Sequence, residues 1–336
     1  MPNKWLLFFS ILIASGTAHA HNFKKNDTLL KPAQIIDSLV FSEKLDWSVR
    51  LVGNFKQQRF TLKNNQDKLY YKPNNPYGIG IGIANQKIII DIVFNIKTQE
   101  EALQTDKFAA EGGLVIKKNY IGFLLENVNG YNIYSNVNDA EIFRKDMSIF
   151  SLGLNYLHLF KNEHFSVRMM KSGVTDKEKT SVSLGFGGFF IVNKISSDGT
   201  IVPTNSNPYF NDQAEITEFT AIGAGILAGV ATYIVLPANF FFALSASPGI
   251  GLEYKEISAE TESYVPTNPL VYKLDLFTGL GYKGEEFYVH FNFGTNLYAT
   301  DLDFNNKALL SVTKSKLIFG YNIGKINFKP KKNKVF

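Results

Sequence analysis

From Val271 to Ala299, apolar and polar positions alternate with a period of two. Tyr272, Leu274, Leu276, Thr278, Leu280 and Tyr282 share one side of the first half, and Lys273, Asp275, Phe277, Gly279 and Gly281 share the other. After the turn Lys283-Gly284-Glu285-Glu286, Phe287, Val289, Phe291, Phe293 and Leu297 alternate with Tyr288, His290, Asn292, Gly294, Asn296 and Tyr298. Alternation sustained over this length predicts two paired strands, because a helix would repeat its apolar positions every three to four residues. The first apolar face is aromatic at its ends and aliphatic in its middle, the order in which a lipid-facing strand meets two interfaces. The steps from Tyr272 to Tyr282, at roughly 3.3 Å each and tilted by about 45°, rise about 23 Å, close to the ~25 Å apolar band of an outer-membrane barrel.

The same pattern recurs along the chain. Leu45, Trp47, Val49, Leu51, Gly53 and Phe55 alternate with a polar side that carries Arg50. Between Gly78 and Ala84 every second residue is glycine or alanine, and an isoleucine face opposes a nearly bare one, the mark of sharp curvature or close packing. From Lys87 to Ile96 an Ile/Phe face continues while Asp91 and Asn95 point away. Further strands are expected at Asp106–Lys117, Tyr120–Val128, Met147–Phe160, His164–Ser172, Lys179–Asn193, Glu215–Val235, Asn239–Lys255 and Ser315–Phe328. Short turns tend to alternate with long loops, as periplasmic turns alternate with outer loops. Inside/outside parity fails to join across Lys171 to Asn211, so at least one expected strand or connection there is misplaced. The expected fold is all-β, an antiparallel transmembrane β-barrel of about 12 strands, within a range of 10 to 14.

Composition refines this picture. Lys4, the apolar run Trp5 to Ala14 and Ala18-His19-Ala20 make residues 1–20 an export signal, too short to anchor in a membrane. Its removal leaves about 316 residues and, with Lys4 gone, lowers the net charge of +5 by one. Residues 21–44 then form a lead-in or plug, 45–328 the barrel, and 329–336 a basic tail. With no cysteine there is no lipoprotein anchor, disulfide or thiolate metal site. Aromatic residues at 14% against charged residues at 19% suit a chain that shows rings and aliphatic groups to lipid. A secreted soluble sandwich fits less well, because the second face is rich in Gly, Asn, His and Tyr and short of Lys and Glu.

Trp47, Tyr71-Lys-Pro-Asn74-Asn-Pro76, Phe160-Lys-Asn-Glu-His-Phe165-Ser166-Val-Arg168, Lys179-Thr-Ser181-Val-Ser183-Leu-Gly185 to Gly188, and Pro248-Gly249-Ile250-Gly251 occur in that order. Together they resemble the bacterial family known as domain of unknown function 4421, over roughly Leu45 to Phe328. The resemblance implies an exported outer-membrane-type β-barrel and carries over no catalytic residue.

Candidate chemistry is sparse. Gly223-Ala-Gly225-Ile-Leu-Ala228 fits a dinucleotide-loop spacing, but no acidic residue follows near Leu244–Ala246 and the flanks alternate as strands. A helical span over Phe219 to Val235 is weakened by its glycines and by Pro237. His158, His164 and Glu163 fall short of the ligand set that a metal site wants. His290 with Ser245 or Ser247 lacks a nucleophile motif. The chain thus predicts no catalytic residue, cofactor or metal. The candidate site residues are the charged and polar groups of the lumen face, Arg50, Asp91, Glu126, Asp275 and His290, where opposite charges form a filling network or a selectivity device. The expected partners are outer-membrane lipid and the barrel assembly machinery, with no nucleic acid, because the lysines are scattered. The function read from the chain is an outer-membrane pore, transport or structural barrel; the alternative is a membrane-embedded hydrolase acting on lipid or peptide at the barrel mouth.

Overall fold

The computed structural model describes residues 46–85, 89–97, 103–116, 118–135, 142–160, 180–204, 206–260 and 262–325. The export signal, the lead-in, the basic tail and the strand expected at His164–Ser172 lie outside the described residues.

Fourteen strands are present among these residues: β1 (Asp46–Lys63), β2 (Lys68–Lys72), β3 (Tyr77–Ala84), β4 (Ile89–Asn95), β5 (Asp106–Ile116), β6 (Asn119–Ser135), β7 (Ile142–Leu159), β8 (Ser181–Ser196), β9 (Ile216–Val235), β10 (Phe240–Ala259), β11 (Ser263–Tyr264), β12 (Leu270–Lys283), β13 (Phe287–Asp301) and β14 (Lys307–Lys325). Ten of them close an antiparallel ring in the order β14-β13-β12-β10-β9-β8-β7-β6-β2-β1, sealed by β1 on β14 from Asp46↔Lys325 to Lys63↔Lys307. Where β1 pairs β2 and β2 pairs β6, closure leaves no sheet edge that lipid would have to satisfy. The Gly223–Gly229 segment lies within β9, so the strand reading holds there and the helical one does not.

β7 and β8 pair directly, from Ser148↔Ser196 to Leu159↔Gly185, so no strand stands between them. The end of the ring that holds Asp46 and Lys325 carries the tight turns. One of these is the β9–β10 turn, whose Ala238 and Asn239 have φ of 56° and 63°, as a mirror-image hairpin turn requires. The long connections 197–215 and 265–269 leave the opposite end.

The wall has the two faces that the alternation implies. Leu276, Leu280, Phe291, Leu317 and Phe319 are exposed, whereas Lys273 and His290 on the same two strands as the first three are buried inside. Rings of Phe240, Tyr282, Phe287 and Phe319 follow one another around the outside at 5.4, 5.8 and 6.0 Å, an aromatic girdle at the end with the tight turns. Near the other end an outward Lys194–Glu218 pair, both partners about half exposed, marks where the apolar band stops.

One part of the wall is not simple. Near the long-loop end β1 pairs β2 for four residues, Phe60 to Lys63, and β2 pairs β6. Nearer the termini β1 pairs β3 instead, β3 pairs β4, and β6 pairs β5. β4 and β5 have no ladder between them among the described residues. The bare face of β3 permits this arrangement. A Cβ on Gly80 would strike the Ile92 carbonyl, and one on Gly82 the Asp91 carboxylate, so β4 lies against β3 more closely than any side chain would allow.

Candidate functional site

The interior is divided along its length into a filled half at the long-loop end, here the outer half, and a charged half at the terminal end, here the inner half. The seal begins with the 197–215 connection, which turns into the ring. Ile201 is 1% and Val202 0% exposed, in one apolar cluster with Phe60, Leu62, Tyr71, Ile133, Ile195 and Ile257 of the wall. The Tyr71 hydroxyl donates to the Ile201 carbonyl at 3.0 Å, and Arg144 Nη1 donates to the Thr200 carbonyl at 2.8 Å. Asn64 Nδ2 donates to the Tyr209 carbonyl at 2.7 Å, and Asn306 Nδ2 to Asn211 Oδ1 at 2.8 Å. The lid is therefore tied to four parts of the rim. Arg144 also grips Asp146 through two bonds of 2.8 and 2.6 Å, and these hold the Asp146 carboxyl below the usual aspartate range.

Below the lid, side chains from facing walls meet. Gln58 on β1 donates to Ser151 on β7 at 3.1 Å and accepts from Tyr131 at 2.6 Å. Asn155 on β7 donates to Asp275 on β12 at 3.0 Å. Gly153 leaves room for the Tyr298 hydroxyl, which would lie 3.2 Å from a Cβ there. A cavity of about 20 Å³ lined by Asn193, Glu253, Tyr298 and Thr300 remains, space for a single water. Lys255 Nζ is satisfied by the Asn268 and Asp301 carbonyls and the Thr300 hydroxyl at 2.7 to 2.8 Å.

The inner half holds a network of charge. Arg50 Nε lies 3.3 Å from Asp91 Oδ1, and Lys56 Nζ lies 2.6 Å from Glu126 Oε1 and 3.5 Å from Glu111 Oε2. Lys316 Nζ on β14 sits between Asp91 on β4, at 3.4 Å, and Glu111 on β5, at 3.3 Å. Lys314 also pairs with Glu111. One cation thus holds a carboxylate from each side of the unpaired stretch of wall.

Of the five residues singled out from the chain, Arg50, Asp91 and Glu126 belong to this network. Asp275 belongs to another group, in which it pairs with buried Lys273 and accepts from Asn155 and Asn296. His290 stands apart, fully buried with its ring 5.0 Å from that of Phe241. Neither of its ring nitrogens has a hydrogen-bond partner among the described residues, so neither Ser245 nor Ser247 is set up as a nucleophile on it. His158 hydrogen-bonds Asn119 on the outside, and no metal-binding group of three ligands occurs among the described residues; His164 and Glu163 lie outside them. Lys56, Glu111, Lys314 and Lys316 escaped sequence reasoning. Their signal was parity, since Lys56 shares the face of Arg50. For the lid it was the pair Ile201-Val202 within a polar loop.

Comparison with curated proteins finds no match. Among solved structures, the outer membrane protease OmpT from Escherichia coli aligns at 9% identity over 82% of this chain and 96% of that one, with a TM-score of 0.42. The β domain of the Bordetella autotransporter BrkA aligns at 9% over 83% and 99%, with a TM-score of 0.32. Ail of Yersinia pestis aligns at 11% over 82% and 99%, with a TM-score of 0.25. Likenesses this distant bear on neither activity nor partners, and the barrel assignment rests on the strand register. A family model matches residues 36–324, nearly the whole described barrel, and on that match the chain belongs to the family described as domain of unknown function (DUF4421).

Proposed function

We infer that this protein works in the outer membrane as a sealed barrel that binds or transfers material through its inner half, and not as an open diffusion pore. The terminal end, with its tight turns, faces the periplasm, and the lid faces outward. The observation that carries this reading is the burial of Ile201 and Val202 in the same apolar cluster as the wall, directly above side chains that meet across the lumen. A water-filled passage needs a polar, unobstructed interior. Here the outer half is filled, by the apolar lid cluster and by polar side chains that bond across the lumen beneath it. The hydrolase alternative draws no support from His290, whose ring nitrogens have no hydrogen-bond partner among the described residues.

The test is a planar-bilayer recording of the purified full chain. The expected result is a silent bilayer from protein whose folding is verified by heat-dependent gel migration. Stable, long-lived conductance steps from the unmodified protein would refute the sealed reading. Fractionation checks the location, since recovery as a detergent-free soluble protein is incompatible with it.

A further inference from the structure

The stretch where β4 and β5 fail to pair is the least expected feature of the wall. An unpaired strand edge exposes N–H and C=O groups that the hydrocarbon of a bilayer cannot satisfy, and such edges persist only where they line a cavity or meet an occupant. The outside of this stretch is strongly apolar: Ile90, Ile92 and Phe94 on β4 and Phe108 on β5 are all more than half exposed. On the inside, Ala109, Glu111 and Gly113 face the lumen, by their register against Leu124 and Glu126, and are nonetheless exposed. The lumen-facing side of β5 is therefore accessible along the seam, although Arg50, Lys56 and Glu126 beside it are buried.

The charges gathered along that side include more cations than carboxylates. Arg50, Lys56, Lys107, Lys314 and Lys316 gather there with Asp91, Glu111 and Glu126, five cations against three carboxylates among the described residues. Arg50 is 2% exposed, and its Nη1 has no hydrogen-bond partner among the described residues; Asp91 Oδ1 and both Glu126 oxygens likewise have none, although these carboxylates are ion-paired with Arg50 and Lys56. A buried guanidinium with a spare donor is matched by an anionic oxygen. Among the described residues, Lys316 is the only side chain with ion pairs to both sides of the seam. An anion that drew Lys316 away would release the link between β4 and β5.

We propose that the β4–β5 seam is a lateral doorway between the bilayer and the inner half of the lumen, and that it admits an acyl amphiphile with an anionic head. The head, a carboxylate or a phosphate, binds to Arg50, Lys314 and Lys316, while the acyl chain stays in the apolar gap bounded by Ile90, Ile92, Phe94 and Phe108. With the outer mouth closed by the lid, the wall and the periplasmic end are the routes that remain. This inference rests on the sealed-barrel reading, but its test uses binding and not conductance, so either can fail without the other.

The test offers palmitate, dimyristoyl phosphatidylglycerol or the zwitterionic dimyristoyl phosphatidylcholine to the detergent-purified full chain and counts bound molecules by native mass spectrometry. Palmitate alone binding identifies a free fatty acid as the source of the anion; phosphatidylglycerol alone identifies a lipid headgroup. Equal retention of phosphatidylcholine, or retention of none of the three, overturns the proposal. Lys314→Gln with Lys316→Gln, both partly exposed, should weaken retention about tenfold, the equivalent of one charge-assisted hydrogen bond. A second arm exploits the absence of cysteine from the chain. Ile92→Cys with Ala110→Cys, bridged by a short bismaleimide after folding, should block uptake, whereas the same protein left unbridged takes up ligand normally. Undiminished uptake by the bridged barrel would show that the ligand enters elsewhere and would sink the doorway.

Discussion

Lys273 sits wholly inside the barrel, with none of its side chain exposed, beside Asp275, whose side chain is 19% exposed. Its ammonium also lies over the Tyr298 ring at 5.2 Å and the Phe189 ring at 5.9 Å. Asp275→Asn removes the charge that Asp275 presents to the desolvated Lys273. Breaking a buried pair from one side costs about 3–5 kcal/mol. Part of that is offset here, because an amide oxygen still accepts from the ammonium and the aromatic faces contribute about 1 kcal/mol, so the expected loss is about 2 kcal/mol. Lys273→Met should cost less, about 1 kcal/mol, since Asp275 keeps its bonds from Asn155 and Asn296. The double variant should lie within about 1 kcal/mol of the parent, because removing both charges of a buried pair together is often close to neutral. The assay is urea unfolding in lipid vesicles, followed by the fluorescence of Trp47, which is buried on β1. A coupling energy of about 2 kcal/mol is expected from the cycle. If the double variant lost as much as the sum of the single ones, Asp275 would not be the counter-ion of Lys273, and the account of the lumen would be wrong at its centre.

Other predictions concern the wall, a turn and the lid. Leu276→Arg and Phe291→Arg, which turn a charge toward lipid, should each cost about 2–4 kcal/mol in the same assay; no loss from either would reverse the inside/outside assignment. Ala238→Gly should stabilise the barrel by about 1 kcal/mol, because Ala238 holds a φ of 56° that glycine adopts without strain. A lower urea midpoint in that variant would contradict the turn geometry. Because Arg144 depresses the carboxyl of Asp146, this group's contribution is full above the ordinary aspartate range and fades as pH falls through its lowered value. Protection factors across residues 197–204, with the intrinsic pH dependence of amide exchange divided out, should fall on acidification in the parent and change far less in Asp146→Asn; identical profiles would detach the lid from this pair.

Much of the barrel is legible in the chain because strand faces are local. Side chains two residues apart lie on the same side whatever the strand pairs with. That is why alternation alone sorts Leu276 from Asp275 and Phe291 from His290, and puts Arg50, Asp91 and Glu126 on the inward face. The glycine face of β3 likewise announced a close neighbour before that neighbour could be named. Parity cannot say which inward residues meet, because that depends on ring closure and register. Lys316 meets Asp91 and Glu111 from more than two hundred residues away, and it does so only because β14 closes on β1. The same dependence hides the lid, since Ile201 and Val202 look like loop residues until the mouth they fill exists. It also hides the seam, because β1 is long enough to pair β2 with one part of its length and β3 with another, and no local pattern records where that exchange leaves two edges unjoined. Local sterics and burial determined the faces; only tertiary pairing decided which charges share the lumen and where the wall has its gap.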